Sequence, residues 1–356
     1  MGQQQGLELT IIKLIAGGKG ILAADETIPT LTKRFAALKI KSTEDRRRLY
    51  REIFFTTPDI SACISGVILQ DETIRQKNVS GTPLVELLSK QGIIPGIKVD
   101  NGAKVLAGSP DETVTEGLDG LRDRLHEYAG MGARFAKWRA VIRITDTLPS
   151  PMCIRVNAQA LARYAALCQE QSIVPIVEPE ALMDGSHSIE RCEEVTSLVL
   201  HTVFHALFEQ RVRLEGMLLK PNMVVSGKES RKQASVEEVA AATVRCLRRH
   251  VPAAVPGIVF LSGGQSDVLA TTHLNAINTL DVPKPWKISF SYGRALQDSA
   301  IEAWQGKQQN LKAAQEAFYH RAKCNGAAAV GEYSRALEGE ESSPETATHR
   351  SDWHDD

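Results

Sequence analysis

Seven ionisable residues stand at or just beyond the ends of short apolar runs in this chain of 356 residues. A single lysine after an apolar run usually extends its ammonium group into water. Seven such charges grouped at one place would cost electrostatic energy that a fold alone does not require, so they indicate a functional site. The seven residues are Asp25, Lys98, Lys137, Arg139, Glu178, Lys220 and Arg294.

The lysines and carboxylates of this group suggest amine chemistry at a carbonyl. A lysine amine attacks a carbonyl only when it is unprotonated, which requires burial or a neighbouring cation, and we expect Lys137 to be that cation beside Lys220. A protonated imine withdraws electrons from the adjacent carbon, so a neighbouring carbon–carbon bond can break without a metal. The carboxylates of Glu178, Glu180 and Asp25 would move the protons. The pattern predicts Schiff-base aldol chemistry.

Small residues after the last two apolar runs predict a phosphate site. Backbone N–H groups of such turns can approach an anion at the position where barrels commonly bind phosphate, and Arg294 adds a bidentate donor. Arg34, Lys98 and Arg139 are candidates for a second phosphate on the opposite side. The two turns are Ser262-Gly263-Gly264 and Ser291-Tyr292-Gly293-Arg294.

The elements that must position these residues follow from eight apolar runs, each followed by a helical pattern. Near-continuous apolar runs of this kind are typical of parallel strands covered by helices, and their mean spacing of about 38 residues fits one strand–helix unit. We therefore predict an α/β fold, a single (β/α)8 TIM barrel. An open doubly wound sheet is the alternative, but DETIPT rather than a glycine-rich turn follows the first run. The runs end at Asp25, Leu69, Val99, Arg139, Glu178, Lys220, Ser262 and Gly293.

Helix signals fill the gaps between the runs. Ser235 and Glu238 form a capping box that opens a helix through His250, and Thr113 with Glu116 gives a similar start signal. Residues 1–334 are expected to form the barrel. Residues 335–356 are polar and are expected to be a mobile C-terminal tail, because they offer little apolar surface to bury. Residues 156–171 carry one apolar stripe at helical spacing, made by Leu161, Tyr164, Ala165 and Cys168.

The composition excludes several classes of function. The formal net charge is −1, which argues against nucleic-acid binding, and no apolar run approaches the length of a membrane helix. Six separated cysteines without a CxxC pair favour reduced thiols and a cytoplasmic protein. His201 and His205 lie four apart but lack the glutamate of a zinc HExxH motif. We expect no metal and no cofactor.

At these residues the chain resembles the class I fructose-bisphosphate aldolases. The similarity runs in order over roughly residues 12 to 333. The matching segments are ILAADE, GVIL, GIKVD, GLDGL, AKWR, ARYA, IVPIVEPE, LEGMLLKPNM, LSGGQS, LNAIN, FSYGRALQ and NLKAAQ.

The resemblance implies a role for each residue of the candidate site. Lys220 would be the Schiff-base nucleophile, Glu178 the acid and base of carbinolamine dehydration, Lys137 its charged neighbour, and Asp25 the base for the C4 hydroxyl. The phosphate ligands would be Ser262, Gly263, Ser291, Gly293 and Arg294 for the C1 phosphate, with Arg34, Lys98 and Arg139 toward the other one.

By the same resemblance the substrate is fructose 1,6-bisphosphate, the products are dihydroxyacetone phosphate and glyceraldehyde 3-phosphate, and the assembly is a homotetramer. The chain ends in Trp353-His354-Asp355-Asp356, whereas animal family members end in tyrosine. A Schiff-base aldolase for another phosphorylated ketose is therefore the first alternative. A metal-dependent lyase and a scaffold protein with the same fold are the others.

Overall fold

The structure is a computed structural model that describes residues 2–339, with side chains from residue 5 onward. The strands are β1 Gly20–Ala24, β2 Ile64–Leu69, β3 Ile94–Lys98, β4 Ala103–Leu106, β5 Ser109–Thr115, β6 Phe135–Ile142, β7 Val174–Ala181, β8 Leu218–Leu219, β9 Gly257–Phe260 and β10 Lys287–Tyr292. The helices are α1 Gly2–Leu14, α2 Ile28–Ala37, α3 Glu44–Phe55, α4 Asp71–Arg75, α5 Leu84–Lys90, α6 Leu121–Gly130, α7 Pro151–Glu170, α8 Ile189–Glu209, α9 Val236–His250, α10 Asp267–Thr279, α11 Arg294–Trp304 and α12 Leu311–Ala329. Short 3-10 helices span Ile60–Ala62, Leu214–Gly216, Gln308–Asn310 and Arg335–Glu338.

Eight strands close into a barrel in the order β1-β10-β9-β8-β7-β6-β3-β2. Every pair in the barrel is parallel. The predicted (β/α)8 TIM barrel is confirmed, and the eight apolar runs of the sequence are its eight strands. The remaining two strands, β4 and β5, form an antiparallel hairpin that the sequence analysis did not predict.

Two barrel strands are longer than the sequence indicated. β6 ends at Ile142 and β7 at Ala181, each three residues beyond its expected end, because the two strands pair along their full lengths. Lys137 and Arg139 therefore lie inside β6, and Glu178 lies inside β7, rather than at the strand ends.

Buried apolar residues form two clusters, one between the strands and the helices and a smaller one inside the barrel. Helix α1 contributes Leu7, Ile11 and Leu14 to the smaller cluster, where it packs against the first residues of the strands. The strands contribute Ile21, Ala23, Ile68, Phe135, Val174, Ile176, Leu218 and Val259.

Two glycines make room for an aromatic ring in the interior cluster. A Cβ on Gly96 would lie 2.3 Å from Cε2 of Phe135, and one on Gly66 would lie 3.0 Å from Cε1 of the same ring. A Cβ contact of 2.3 Å is essentially never seen and one of 3.0 Å is unusually tight, so the ring occupies the volume that these glycines leave empty. Phe135 is fully buried, and as the first residue of β6 it fills the barrel interior near the N-terminal ends of the strands.

The hairpin shows that one helix signal was wrong. Thr113 lies in β5, and α6 begins only at Leu121. The Thr113 hydroxyl donates to the backbone oxygen of Val141, so the side chain binds β6 instead of capping a helix. Sheet pairing therefore outweighed the local capping pattern at this position.

Other local predictions are confirmed. Ser235 and Glu238 form both bonds of the capping box at the start of α9, which ends at His250. The four residues of the apolar stripe in α7 are buried, and all six cysteines are buried free thiols. None of the helices in the described part of the chain has the length and apolar content needed to cross a bilayer.

The expected tail lies almost wholly outside the described residues. Its first part, Arg335–Glu338, forms a 3-10 helix in which Glu338 binds Arg321 of α12 and accepts a hydrogen bond from the Tyr333 hydroxyl at 2.8 Å. These four residues are attached to the barrel through Glu338. The prediction for residues 340–356 stays a prediction.

Candidate active site

The inward face of the strands changes from apolar to charged along the barrel. Alternate residues of a strand point to the same side, so the residue two positions after an interior residue shares its face. The charged residues follow the apolar ones in chain direction, so they lie on the side of the barrel toward the C-terminal strand ends, where barrels of this type build active sites. After the interior residues Ala23, Phe135, Ile176 and Leu218, this face carries Asp25, Lys137, Glu178 and Lys220.

These four side chains are all buried, and they touch one another across the barrel mouth. Lys220 Nζ lies 3.1 Å from Glu178 Oε1, and Lys137 Nζ lies 3.4 Å from Glu178 Oε2. Lys137 Nζ also lies 2.7 Å from Asp25 Oδ2, and this contact joins β6 to the end of β1 over two intervening strands. The Glu178 carboxylate thus lies between the two lysine amines.

The electrostatics fix two charge states in this group. Burial alone would raise the pKa of Asp25, but the ammonium groups of Lys137 and Lys220 outweigh it and lower the pKa to about 2. Burial would lower the pKa of Lys137, but the carboxylates of Asp25 and Glu178 outweigh it and raise that pKa above its usual 10.5. At neutral pH Asp25 is ionised and Lys137 is protonated. Lys137 can therefore be the cation that the sequence analysis expects beside Lys220.

One oxygen of Glu178 has capacity left for a ligand. Glu178 Oε2 is buried and makes no hydrogen bond within the described residues, although the Lys137 ammonium lies 3.4 Å away. A buried oxygen without a hydrogen bond costs free energy, and a bound hydroxyl or water would remove that cost. The other oxygen of the same carboxylate, Oε1, contacts the Lys220 amine.

Two further ion pairs involve β3, the residues that directly follow it, β6 and β7. Lys98 Nζ pairs with the Asp100 carboxylate and donates to the Asp100 backbone oxygen at 2.8 Å. Arg139 Nε pairs with Glu180, and the Arg139 backbone N–H donates to Asp100 Oδ2 at 3.3 Å. Glu180 thus holds Arg139. Its predicted role in proton transfer stays a prediction.

The two predicted phosphate turns follow the neighbouring strands β9 and β10. Gly263 and Gly264 have φ angles of +62° and +84°, a conformation that favours glycine. Ser262 beside them is buried. Ser291 Oγ is buried and has no hydrogen-bond partner among the described residues, so its hydroxyl can bind a ligand. Gly293 directly precedes α11, whose first residue is Arg294.

A further lysine lies against the first of these turns. A Cβ on Gly264 would lie 2.9 Å from Lys228 Nζ and 3.3 Å from Arg294 Nη2, so two cationic groups flank the glycine. Lys228 Nζ also pairs with Asp184 Oδ1 at 3.1 Å. Its backbone N–H donates to the oxygen of Met183 at 2.7 Å, which joins the loops after β7 and β8.

Arg34 is buried on α2 and already has strong partners. Its guanidinium donates to Glu26 Oε1 at 2.5 Å, to Gln297 Oε1 at 2.9 Å and to Asp298 Oδ1 at 2.8 Å. A phosphate would have to share these donors or replace one of the acceptors. Its assignment to the second phosphate stays a prediction.

The sequence analysis missed Asp100 and Lys228. Asp100 stands two residues after Lys98 in the segment IPGIKVD, so its place after a strand was a usable signal. Nothing in the sequence brings position 228 to position 264, because that proximity depends on the pairing of two loops.

Comparison with known proteins agrees with this geometry. A family model described as fructose-bisphosphate aldolase class-I matches residues 6–353. The chain is 58% identical over 321 residues to a probable fructose-bisphosphate aldolase class 1 of Xanthomonas axonopodis pv. citri. This alignment covers 90% of this chain and 96% of the relative. It is 56% identical over 316 residues to the cytosolic fructose-bisphosphate aldolase 6 of Arabidopsis thaliana, with 89% and 88% covered.

A solved structure gives the same result for the fold. The fructose-bisphosphate aldolase of Plasmodium falciparum, crystallised with TRAP and a small-molecule inhibitor, aligns with a TM-score of 0.92 at 49% identity. The alignment covers 94% of this chain and 96% of that one. On the family match and these relatives together, the chain belongs to the class I fructose-bisphosphate aldolases, a family of lyases.

Proposed function

We propose that this lyase cleaves fructose 1,6-bisphosphate reversibly through an imine on Lys220. The observation that supports the proposal most directly is the buried contact of Glu178 with both Lys220 and Lys137, at 3.1 Å and 3.4 Å. Glu178 can take a proton from Lys220 when the amine adds to the C2 carbonyl. It can then return a proton to the carbinolamine hydroxyl, which leaves as water while the C=N bond forms.

Cleavage requires a base for the C4 hydroxyl, and we assign it to Asp25. As the proton leaves this hydroxyl, the C3–C4 bond breaks, its electrons pass to the protonated imine, and the aldehyde product departs. The remaining enamine takes a proton and is hydrolysed to the ketone product. Asp25 is a weak base at rest because its pKa is about 2, so we expect its ion pair with Lys137 to loosen when substrate enters.

Two phosphate sites would determine the choice of substrate. The first would combine the N–H groups of Gly263 and Gly264 with the Ser262 and Ser291 hydroxyls and the cations of Arg294 and Lys228, since these groups lie on adjacent strands or against the same turn. The second would use Lys98 and Arg139, with Arg34. A substrate with a phosphate at each end matches this distribution better than a monophosphate does.

Sodium borohydride trapping tests the mechanism. Reduction of the enzyme in the presence of the bisphosphate should produce one stable adduct, and mass spectrometry should locate it on Lys220 and report the mass of the bound ketose. Lys220→Ala should give no adduct and no turnover. Lys13→Ala serves as the matched control, since it removes an exposed lysine on α1. Turnover by the Lys220→Ala enzyme would exclude the mechanism.

Two further measurements separate the alternatives. Full activity after dialysis against EDTA would exclude a metal-dependent lyase, and loss of activity would support one. Comparison of kcat/KM for the bisphosphate with that for monophosphate and sulfonate analogues would show whether another ketose is preferred. A protein without any retro-aldol activity on these compounds would be a scaffold.

We also propose a cytoplasmic homotetramer. The family resemblance implies the assembly, and α8 exposes apolar side chains, including 80% of Phe208 and 49% of Leu198, that a subunit contact would cover. Light scattering of the purified protein should give the mass of four chains. A monomer across the working concentration range would exclude the assembly.

A further inference from the structure

Three potential metal ligands lie together on α12 and the 3-10 helix that follows it, and none of them has a role in the proposed reaction. His320 and Cys324 are one helical turn apart on α12, and Glu338 lies in the 3-10 helix that follows Tyr333. One ligand atom from each lies within 4.8 Å of the others, and no other group of three such residues was found among the described residues.

Two of the three distances in this group match those between ligands of a tetrahedral ion. Zinc bonds of about 2.3 Å to sulfur and about 2.0–2.1 Å to nitrogen or oxygen, at the tetrahedral angle, separate sulfur from nitrogen by about 3.6 Å and nitrogen from oxygen by about 3.3 Å. The Cys324 Sγ to His320 Nε2 distance is 3.7 Å, and the His320 Nε2 to Glu338 Oε2 distance is 3.3 Å. The remaining separation, from Cys324 Sγ to the Glu338 carboxylate, is within 4.8 Å.

The surroundings would orient the ligands. Glu338 Oε1 accepts the hydrogen bond from Tyr333, which leaves Oε2 as the coordinating oxygen and fixes the plane of the carboxylate. Cys324 is buried, whereas 45% of the His320 side chain is exposed. An ion bound here would therefore have protein ligands on the inner side and an open position toward solvent for water.

One cation competes for the site. Arg321 Nη1 binds Glu338 Oε2, so an incoming ion must share or replace that contact. Arg321 keeps other partners if it gives up the carboxylate, since its Nη2 donates to Thr271 Oγ1 at 2.7 Å and its Nε lies 3.7 Å from Asp267 Oδ2. A thiolate and a carboxylate together balance the two charges of Zn²⁺, so the site stays neutral beside the arginine.

We propose that His320, Cys324 and Glu338 bind one zinc ion, with water as the fourth ligand. Thiolate, imidazole and carboxylate are all zinc ligands, and the thiolate selects against Mg²⁺ and Ca²⁺. The Cys324 thiol loses its proton to solvent as the Zn–S bond forms, and no electron transfer is involved. The ion would join the Arg335–Glu338 segment to α12 by coordinate bonds in addition to the ion pair. It would have no part in the aldol chemistry.

Cobalt substitution tests the site in the full-length protein. Titration of the EDTA-treated enzyme with Co²⁺ should give visible bands of a tetrahedral ion and a thiolate-to-cobalt charge-transfer band in the near ultraviolet. Zinc should displace the cobalt at a stoichiometry of one per chain. Cys324→Ser should remove the charge-transfer band, and His320→Gln should weaken zinc binding by at least about tenfold.

Control variants keep the test decisive. Cys246→Ser removes a buried thiol beside Ser197 and should leave the spectrum unchanged. His320→Gln alters a side chain that is about half exposed, so it tests the site even if Cys324→Ser fails to fold. Retro-aldol activity should be equal in the metal-free and zinc-loaded enzyme.

Three results would overturn the proposal. The first is cobalt binding without a charge-transfer band, which would indicate other ligands such as the terminal His349 and His354. The second is a charge-transfer band that persists in Cys324→Ser. The third is unchanged zinc affinity in His320→Gln. A loss of catalysis on zinc removal would instead contradict the proposed metal-free reaction, so the two failures are distinguishable.

Discussion

Lys137 and Asp25 pair across the barrel, and we predict that the contribution of each to the free energy of unfolding depends on the other. The substitution Lys137→Met tests this dependence. The difference between the ordinary aspartate pKa of 3.8 and the lowered value of about 2 corresponds to roughly 2 kcal/mol in favour of the ionised form of Asp25. Lys137 makes the largest favourable contribution to this stabilisation, ahead of Lys220 and Lys98, so removing it leaves the burial of the carboxylate poorly compensated. We therefore expect the free energy of unfolding at pH 7 to fall by about 3–5 kcal/mol, the usual cost of breaking a buried pair.

A double-mutant cycle measured by urea unfolding isolates the pair. Asp25→Asn in the Lys137→Met background should recover much of the lost stability, because it removes the uncompensated charge, and the coupling should be about 2 kcal/mol or more. Asp25 has a lowered pKa in the folded state, so its contribution is complete above pH 4 and disappears as the pH falls toward 2. The difference between the wild type and Lys137→Met should shrink over that interval.

Two outcomes would refute this reasoning. Additive effects of the two substitutions to within about 0.5 kcal/mol would mean that the residues do not interact. A stability difference that stays constant down to pH 2 would mean that Asp25 does not titrate in response to Lys137. The matched control is Lys90→Met, whose partner Glu86 is exposed and whose ion pair should contribute less than about 1 kcal/mol.

Three further variants test other parts of the structure. Glu178→Gln should lower kcat by about 10²- to 10⁴-fold with little change in KM, and steady-state kinetics showing a KM effect alone would contradict its role in proton transfer. Lys228→Met should raise KM for the bisphosphate several-fold, whereas Lys232→Met, at an exposed lysine, should leave KM unchanged. A Lys228→Met enzyme with the KM of the wild type would show that Lys228 does not bind the phosphate. Gly96→Ala should destabilise the barrel by about 1–3 kcal/mol in urea unfolding because its Cβ overlaps Phe135, whereas Gly130→Ala has open space and should not.

The sequence predicted the barrel because each of its strands is buried on both faces. Such strands appear as short apolar runs, and the first polar residue on the inward face marks the beginning of the mouth, as Lys220 does after Leu218 and Leu219. The main elements of the charged site could therefore be identified before their distances were known. The capping box of α9 was predictable for a different reason, since both of its bonds join neighbours in sequence.

The parts that the sequence did not reveal depend on contacts between distant segments. The β4–β5 hairpin carries mostly polar and partly exposed residues, so it gives no apolar run, and its Thr113 imitates a helix start. Lys228 reaches Gly264 only because two loops pair. The proximity of His320, Cys324 and Glu338 likewise arises only because the chain folds back against α12 after that helix ends.

The shared inward face of apolar and charged residues limits how the strands can be lengthened. In β7, Ile176 and Glu178 project to the same side only because one residue separates them. Inserting a single amino acid between them would turn both carboxylates of the strand toward the surrounding helices and bring Pro179 to the mouth. An insertion of two would preserve the orientation but move the carboxylate about 6.6 Å farther along the strand, beyond reach of Lys220. The length of the strand beneath Glu178 therefore has to remain fixed in any redesign of this barrel.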